Sequence, residues 1–359
     1  MELCLYGAAD SPPGYYAREQ EQFGKAGDFY TSSDVHAVFG RLLCRQFEEM
    51  WRVLGEPGTI DIIELGPGRG LFAADVLDWA GKKYSDFAHA LRYRLVETSA
   101  SSRKRLHDSF ASDQRVSVHE RMEEAFASAS DHVIVFGNEF FDALPCEILD
   151  HRGELRVDAN EGRFVEAFVQ STKPVTEFVE KFAVRPAEHE RVDAPLVAQE
   201  YMSRIGQLLK GKKGFAIFVD YGYMQEEIIA GRHLGTVTCF RQHTIADSPY
   251  DAPGEQDITV HVNFSALAVA AREQGLEPLA WITQAQFLMG IGEQGQFSEA
   301  FEECKLPQER TKRAMQLKHL ITPEGMGESF HALVLAANVD KEKAACLSGL
   351  GFVRPSNKI

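Results

Sequence analysis

The chain has 359 residues, about enough for two domains of ordinary size or one enlarged catalytic domain, and too many for a disulfide-stapled miniprotein. With 44% hydrophobic and 25% charged residues it has the composition of a globular protein that buries a core. Acids outnumber bases by 53 to 38, a net charge of -15, which disfavours nucleic acid because that affinity rests on Lys and Arg displacing counterions from phosphates.

From the N-terminus, the stretch 1–22 lacks the basic flank and apolar core of a secretory signal, and it is not an Arg-rich transit peptide. A first β-branched run, Ile60 to Leu65, ends in Gly66-Pro67-Gly68-Arg69-Gly70. It leads into 71–83, where Leu71, Ala74, Val76, Leu77 and Ala80 fall largely on one helical face. Further strand-like runs follow at 93–97, 116–118, 133–136 and 215–219, with a last one from His331 to Ala337. Strands alternating with helical periodicity predict an α/β fold with a parallel sheet and crossover helices.

About eighty residues separate the fourth and fifth strands, and they include 155–168, where Asn160 to Gly162 reads as a hairpin turn. The stretch 222–330 is also longer than one crossover needs. No Pro/Gly/Ser-rich linker marks a boundary, so both read as insertions on one sheet. The longest apolar stretches, 216–219 and 332–337, are too short to span a bilayer, and no membrane insertion is expected. Cys4, Cys44, Cys146, Cys239, Cys304 and Cys346 are scattered, with no CxxC and no zinc-ligand cluster; they read as reduced thiols of a cytoplasmic protein without a metal centre.

Three loops carry candidate chemistry. The first is the glycine turn. Gly66, Gly68 and Gly70 permit positive φ and close approach of a ligand, and the helix after them offers unpaired amides. The GxGxG spacing with Glu64 before it differs from the GxGxxG of dinucleotide sites. It suits a cofactor without a pyrophosphate, such as S-adenosyl-L-methionine. The second is Glu97, at the end of the next strand, where an acid can accept hydrogen bonds from ribose hydroxyls. The third is Gly137 to Pro145, containing Asn138, Glu139, Phe140, Phe141 and Asp142, which a parallel sheet should bring beside the glycine turn. The bland alternatives are a solvated acid at position 97 and, for Asp142, a helix cap above core phenylalanines.

The segments GDFYTSSDVHAVFG (27–40), IIELGPGRG (62–70), GNEFFDALP (137–145), FVDYG (218–222), PGEQDITVHVNF (253–264) and TQAQFLMGIG (283–292) occur in one order. Together they resemble the MidA-like family of S-adenosylmethionine-dependent methyltransferases, which includes a mitochondrial complex I assembly factor with protein arginine methyltransferase activity, over roughly residues 15–337. The resemblance implies a doubly wound, Rossmann-like class I methyltransferase sheet with an N-terminal helical segment and inserted α+β elements. Its expected division is a helical lid at 1–58, a cofactor-binding core at 59–222 with an insertion at about 150–205, an acceptor-side insertion at 223–330, and the last strand with a tail at 331–359. The tail beyond 340 is expected to be a short helix and a disordered end.

The resemblance also implies residue roles. Gly66, Gly68 and Gly70, with Glu64, would hold the methionine portion and Glu97 the ribose. Asn138 to Asp142 would border the transferred methyl, and Thr31 and Ser32 would close over the cofactor. Asp220, Tyr221, Asp257, Thr259, His261 and Asn263 would line the acceptor side together with Phe140 and Phe141. Two departures from the family pattern stand out. Ser33-Asp34 replaces the usual Pro-Glu after the Thr-Ser pair, which bears on the lid, and Glu97-Thr98-Ser99-Ala100 replaces Glu-x-Ser-Pro.

Transfer of a methyl from a sulfonium is an in-line displacement that requires orientation and exclusion of water. A guanidinium acceptor is cationic and wants paired carboxylates, for which Glu139 and Asp142 are the candidates, with His261 as a further proton acceptor and His243 ranked below it. The expected partner is a protein bearing arginine, with a homodimer left open. A small-molecule methyltransferase, a cofactor-binding assembly module without turnover and an NAD-dependent oxidoreductase are the rival readings.

Overall fold

A computed structural model describes residues 1–7, 14–18, 37–227, 230–241, 244–246 and 248–354. Its strands are, in chain order, Ile60–Leu65 (β1), Leu91–Val96 (β2), Val116–His119 (β3), His132–Asn138 (β4), Glu147–Asp150 (β5), Gly153–Asn160 (β6), Arg163–Val169 (β7), Val192–Ala194 (β8), Lys213–Tyr223 (β9), Thr238–Arg241 (β10), Thr244–Ala246 (β11), Asp257–Thr259 (β12), Val262–Asn263 (β13), Glu277–Thr283 (β14) and Phe330–Ala337 (β15). The main sheet runs β14-β15-β9-β4-β1-β2-β3. The pairs β1/β2, β1/β4, β2/β3 and β4/β9 are parallel, whereas β15 is antiparallel to both β9 and β14.

A central strand of such a sheet is covered on both faces, and β1 is buried throughout. Of its two buried acids, Asp61 is satisfied by Arg94 Nε at 2.6 Å and the Ser130 amide at 2.7 Å, and Glu64 lies at the cleft end of the strand. The following helix, Leu71–Lys83, buries Phe72, Ala73, Val76, Leu77, Trp79 and Ala80. Leu71 and Ala74, expected on that face, are exposed. The stripe is rotated because Phe72 stacks on Phe136 at 4.3 Å between ring centres.

Three segments depart from the expected division. The helix Ala37–Val53 is no lid: Val38, Phe39, Leu42, Leu43, Phe47 and Met50 are fully buried in the same core as Ile60 and Ile62. Within 223–330, β14 is an edge strand of the main sheet and not part of an insertion; its Pro278 and a register shift between Pro278 and Ala280 interrupt the alternation that would mark a strand. The tail carries the expected short helix, Lys341–Ala344, but its described part packs onto the body, with Ala344 and Leu347 in the main core and the amides of Ser348 and Gly349 bound to Glu49 Oε2 and Gln46 Oε1 at 2.9 and 2.8 Å; residues 355–359 lie outside the described residues.

Two small sheets sit on the connections. β7-β6-β5-β8 fills the link from β4 to β9, with its hairpin turning at Glu161 (φ 49°) and Gly162 (φ 76°), while β11-β10-β12 lies in the link from β9 to β14. Among the described residues no helix is long and apolar enough to cross a membrane.

Candidate active site

A cleft of about 1120 Å³ opens beyond the carboxyl ends of β1, β2, β4 and β9, the place where open parallel sheets bind ligands. It is bordered by the glycine turn, the loop after β4, the β12 region and the first residues of β15.

The turn leaves β1 with Gly66, Gly68 and Gly70 at φ 64°, 53° and 75°, values that L side chains adopt only under strain. A Cβ on Gly66 would lie 3.2 Å from the Phe140 ring, so the turn and the loop after β4 meet closely. Gly70 stands apart from the expected cofactor set. It does not border the cleft, and a Cβ there would meet Phe110 and Leu106 at 2.7 and 2.8 Å; its lack of a side chain lets the helix Ala100–Phe110 pack.

Glu64 is buried at the cleft wall and accepts the Tyr93 hydroxyl at 2.8 Å. Burial pushes its carboxyl up to about 8, against that hydrogen bond. Glu97 follows β2 directly and its Oε1 accepts the Ser99 amide at 2.8 Å. Burial raises its pKa as well, partly offset by the Ser99 amide and by Arg103 and Arg105.

The loop after β4 is the most constrained part of the site. Glu139 is held at φ 51°, its amide bonded to Val219 O at 2.9 Å and its Oε1 accepting Asn138 Nδ2 at 2.9 Å. Asn138 Oδ1 is buried without a partner. Asp142 borders the cleft with Oδ1 buried and unpartnered. Desolvation lifts its pKa to about 6, with the Tyr221 hydroxyl partly offsetting the rise.

Three expected acceptor-side residues face elsewhere. Asp220 is fully buried behind the loop, where its Oδ2 accepts the amides of Phe140, Phe141 and Asp142 at 3.2, 3.0 and 3.3 Å and its Oδ1 the Tyr221 amide at 2.9 Å. Burial and the charges of Asp142 and Glu139 push its carboxyl up against those amides. Phe141 is core, packed edge-on to Phe218 at 5.0 Å. Asn263 caps the helix Phe264–Glu273 through the Ala266 amide at 3.0 Å and donates to Gln225 at the same distance, away from the cleft.

Phe140, Tyr221, Asp257, Thr259 and His261 do border the cleft. His261 meets the Tyr221 ring edge-on at 5.4 Å, and burial lowers its pKa, so it is neutral near pH 7, with Asp193 acting in the opposite direction. Thr31, Ser32 and His243 lie outside the described residues.

Several lining residues escape sequence reasoning. Tyr6 and Tyr16 come from the chain start, Tyr201 and Arg204 from the helix Leu196–Leu209, and His331 from β15. His331 stacks on Trp281 at 4.3 Å, and burial drops its pKa to about 4. A helix whose exposed face carries Tyr and Arg at i and i+3 was the one signal available for Tyr201 and Arg204.

A seven-strand order with one reversed strand next to the edge, and a glycine turn opening onto a cleft walled by Glu97 and the loop after β4, define a class I S-adenosylmethionine-dependent methyltransferase. Residues 42–282 match the family described as "Putative S-adenosyl-L-methionine-dependent methyltransferase", and the chain belongs to it. Among curated proteins it is 26% identical to a mitochondrial protein arginine methyltransferase NDUFAF7 homolog of Drosophila melanogaster, over 92% of this chain and 81% of that one. It is 27% identical to the mitochondrial NDUFAF7 of Mus musculus, over 93% and 81%.

The crystal structure of a COG1565 superfamily member from Burkholderia thailandensis bound to S-adenosyl-homocysteine superposes with a TM-score of 0.79 at 25% identity, covering 96% of this chain and 88% of that one. The cofactor is S-adenosyl-L-methionine. The glycine cradle at Gly66 and the orphaned Asn138 Oδ1 provide the room and the unspent polar capacity that such a ligand needs. The expectation of a cytoplasmic protein is overturned, because these curated relatives are named as mitochondrial; scattered cysteines identify a reducing environment and do not specify a compartment.

Proposed function

We propose that the enzyme methylates arginine side chains of a protein substrate. The observation that carries this reading is the acidity of the cleft. Its lining holds nine carboxyl groups, among them Asp142 and Asp257, against three arginines, Arg69, Arg121 and Arg204. Arg121 pairs with Glu124, and Arg204 pairs with Glu123, itself one of the nine. A guanidinium presents five N–H donors and no acceptor, so carboxylates are its natural partners. The arginine methyltransferase names of the relatives support the same choice.

The bound cofactor supplies an electrophilic methyl on a sulfonium. Gly66 and Gly68 would let its amino-acid end approach the backbone, Glu64 would meet the ammonium, Glu97 would accept from the ribose hydroxyls, and Asn138 Oδ1 would take a further donor. Glu139 and Asp142 would hold the guanidinium for in-line transfer. The attacking nitrogen sheds one proton as its bond to the methyl forms, so the product stays singly charged. Asp142, with a pKa near 6, is the acceptor placed for that proton, and the neutral His261 ring is the second.

Labelled cofactor incubated with arginine-bearing proteins, followed by acid hydrolysis, should place the label in methylarginine. Label confined to small metabolites would overturn the reading.

A further inference from the structure

The first described residues, which contain no methyltransferase motif, are built into the cleft. Leu5 and Tyr15 are buried in a small apolar cluster with Cys239 and Ile258. Gly14 sits directly on the helix Glu2–Tyr6: a Cβ there would lie 2.4 to 2.6 Å from the backbone of Leu5, Tyr6 and Gly7. Only glycine permits that approach, and the approach sets Tyr6 and Tyr16 side by side, with ring centres 5.7 Å apart.

Both hydroxyls are tied to the cleft wall. Tyr16 donates to Asp257 Oδ1 at 2.7 Å, and Tyr6 donates to the carbonyl of Ala143, next to Asp142, at 3.0 Å. Both residues border the cleft. Alongside are Asp257, buried, and Asp142, whose Oδ1 is buried without a partner. Aromatic surface and a carboxylate edge at one place suit a flat cation. Its faces lie on rings while its rim donates to carboxylates, which a compact ammonium does less well.

We infer that Tyr6 and Tyr16, with Asp142 and Asp257, form the subsite that receives the planar cationic head of the acceptor, so that the chain start determines acceptor choice. This rests on the arginine reading of the cleft. It assigns the N-terminal residues a role in recognition that is separate from holding the cofactor.

The test is calorimetric titration of the S-adenosylhomocysteine-loaded protein with two probes of equal charge, acetyl-arginine amide and acetyl-lysine amide. The wild type should prefer the arginine probe by about tenfold. Tyr6→Leu and Tyr16→Leu should each weaken it by about tenfold, and Tyr16→Phe, which keeps the ring, by no more than about threefold. Affinity for S-adenosylhomocysteine should stay within about twofold. Equal affinity for the two probes in the wild type would overturn the inference without any variant, so a leucine variant that fails to fold does not shelter it. It is also overturned by wild-type affinity in soluble leucine variants, or by a matching loss of S-adenosylhomocysteine binding. Preferential binding of the arginine probe without any methyl transfer to arginine would sink the proposed function and leave the subsite standing; transfer that ignores both tyrosines would do the reverse.

Discussion

The carboxylate of Asp220 holds the amide of Phe141 at 3.0 Å, and the same oxygen takes the amides on either side of it. Three consecutive N–H groups converging on one oxygen fix the loop that carries Glu139 and Asp142. They also keep Glu139 in a left-handed conformation that costs about 1–3 kcal/mol. Asp220→Asn retains the shape but must aim a donor at either the loop amides or the Tyr221 amide. It should lower kcat by about 10- to 100-fold through misplacement of the loop, with cofactor affinity changed by less than about threefold. Asp220→Ala should in addition cost about 3 kcal/mol of stability by leaving buried amides unpaired. Steady-state kinetics and denaturant melts separate the two effects; equal loss of kcat and cofactor binding in Asp220→Asn would refute a role confined to the loop.

Gly66→Ala places a methyl 3.2 Å from the Phe140 ring at a residue with φ 64°. The strain, about 1–2 kcal/mol, and the narrowed approach should reduce cofactor affinity by about tenfold or more in a calorimetric titration. An unchanged affinity would exclude the turn as the cofactor cradle.

With a carboxyl pKa raised to about 8 by burial, Glu64 is mostly protonated at pH 7 before the ligand arrives. An ammonium bound beside it favours the charged form, so cofactor binding at pH 7 should release a proton. Titrations in buffers of different ionisation enthalpy measure this directly, and Glu64→Gln should abolish it. The raised pKa also means that the free protein loses stability as pH climbs from about 4.5 to about 8. The glutamine variant should flatten that decline, by up to about 3 kcal/mol at pH 7.

Asp142 titrates near 6. Below that pH it is neutral and cannot balance a cation; above it the charge is present. Acceptor KM should therefore fall as pH rises through about 6 and then level off, while cofactor KM, linked to the ionisation of Glu64, should go on falling towards pH 8. In Asp142→Asn the step should vanish and kcat/KM drop by about 10- to 1000-fold.

The parallel α/β sheet was legible because β1, β2 and β4 are short, largely buried runs, and the motifs at their ends meet at one cleft because they sit at the carboxyl ends of the strands. Contiguity in sequence then equals contiguity in space, as for Glu64, Glu97 and Asn138. That equivalence fails one residue further along. Alternation sends Phe140 to the cleft and Phe141 to the core, and Asp220 turns under the loop while its neighbour Tyr221 faces the acceptor side. Asn263 reads as a polar site residue but its geometry is that of a helix cap. Tyr6, Tyr16 and His331 were invisible for a different reason. They arrive from segments outside the glycine turn and the loop after β4, and only tertiary packing brings them in.

The reversed strand β15 bears on how the chain is assembled as it leaves the ribosome. β14 is translated before β15 yet has no partner in the main sheet other than β15. The long strand β9 likewise keeps one edge open until Phe330–Ala337 slides in beside it. The part of the sheet from β9 to β3 can form during synthesis; the remainder waits for Phe330–Ala337. A nascent or truncated chain ending before Phe330 would thus carry an unpaired apolar strand edge, the kind of surface that chaperones bind and that seeds aggregation.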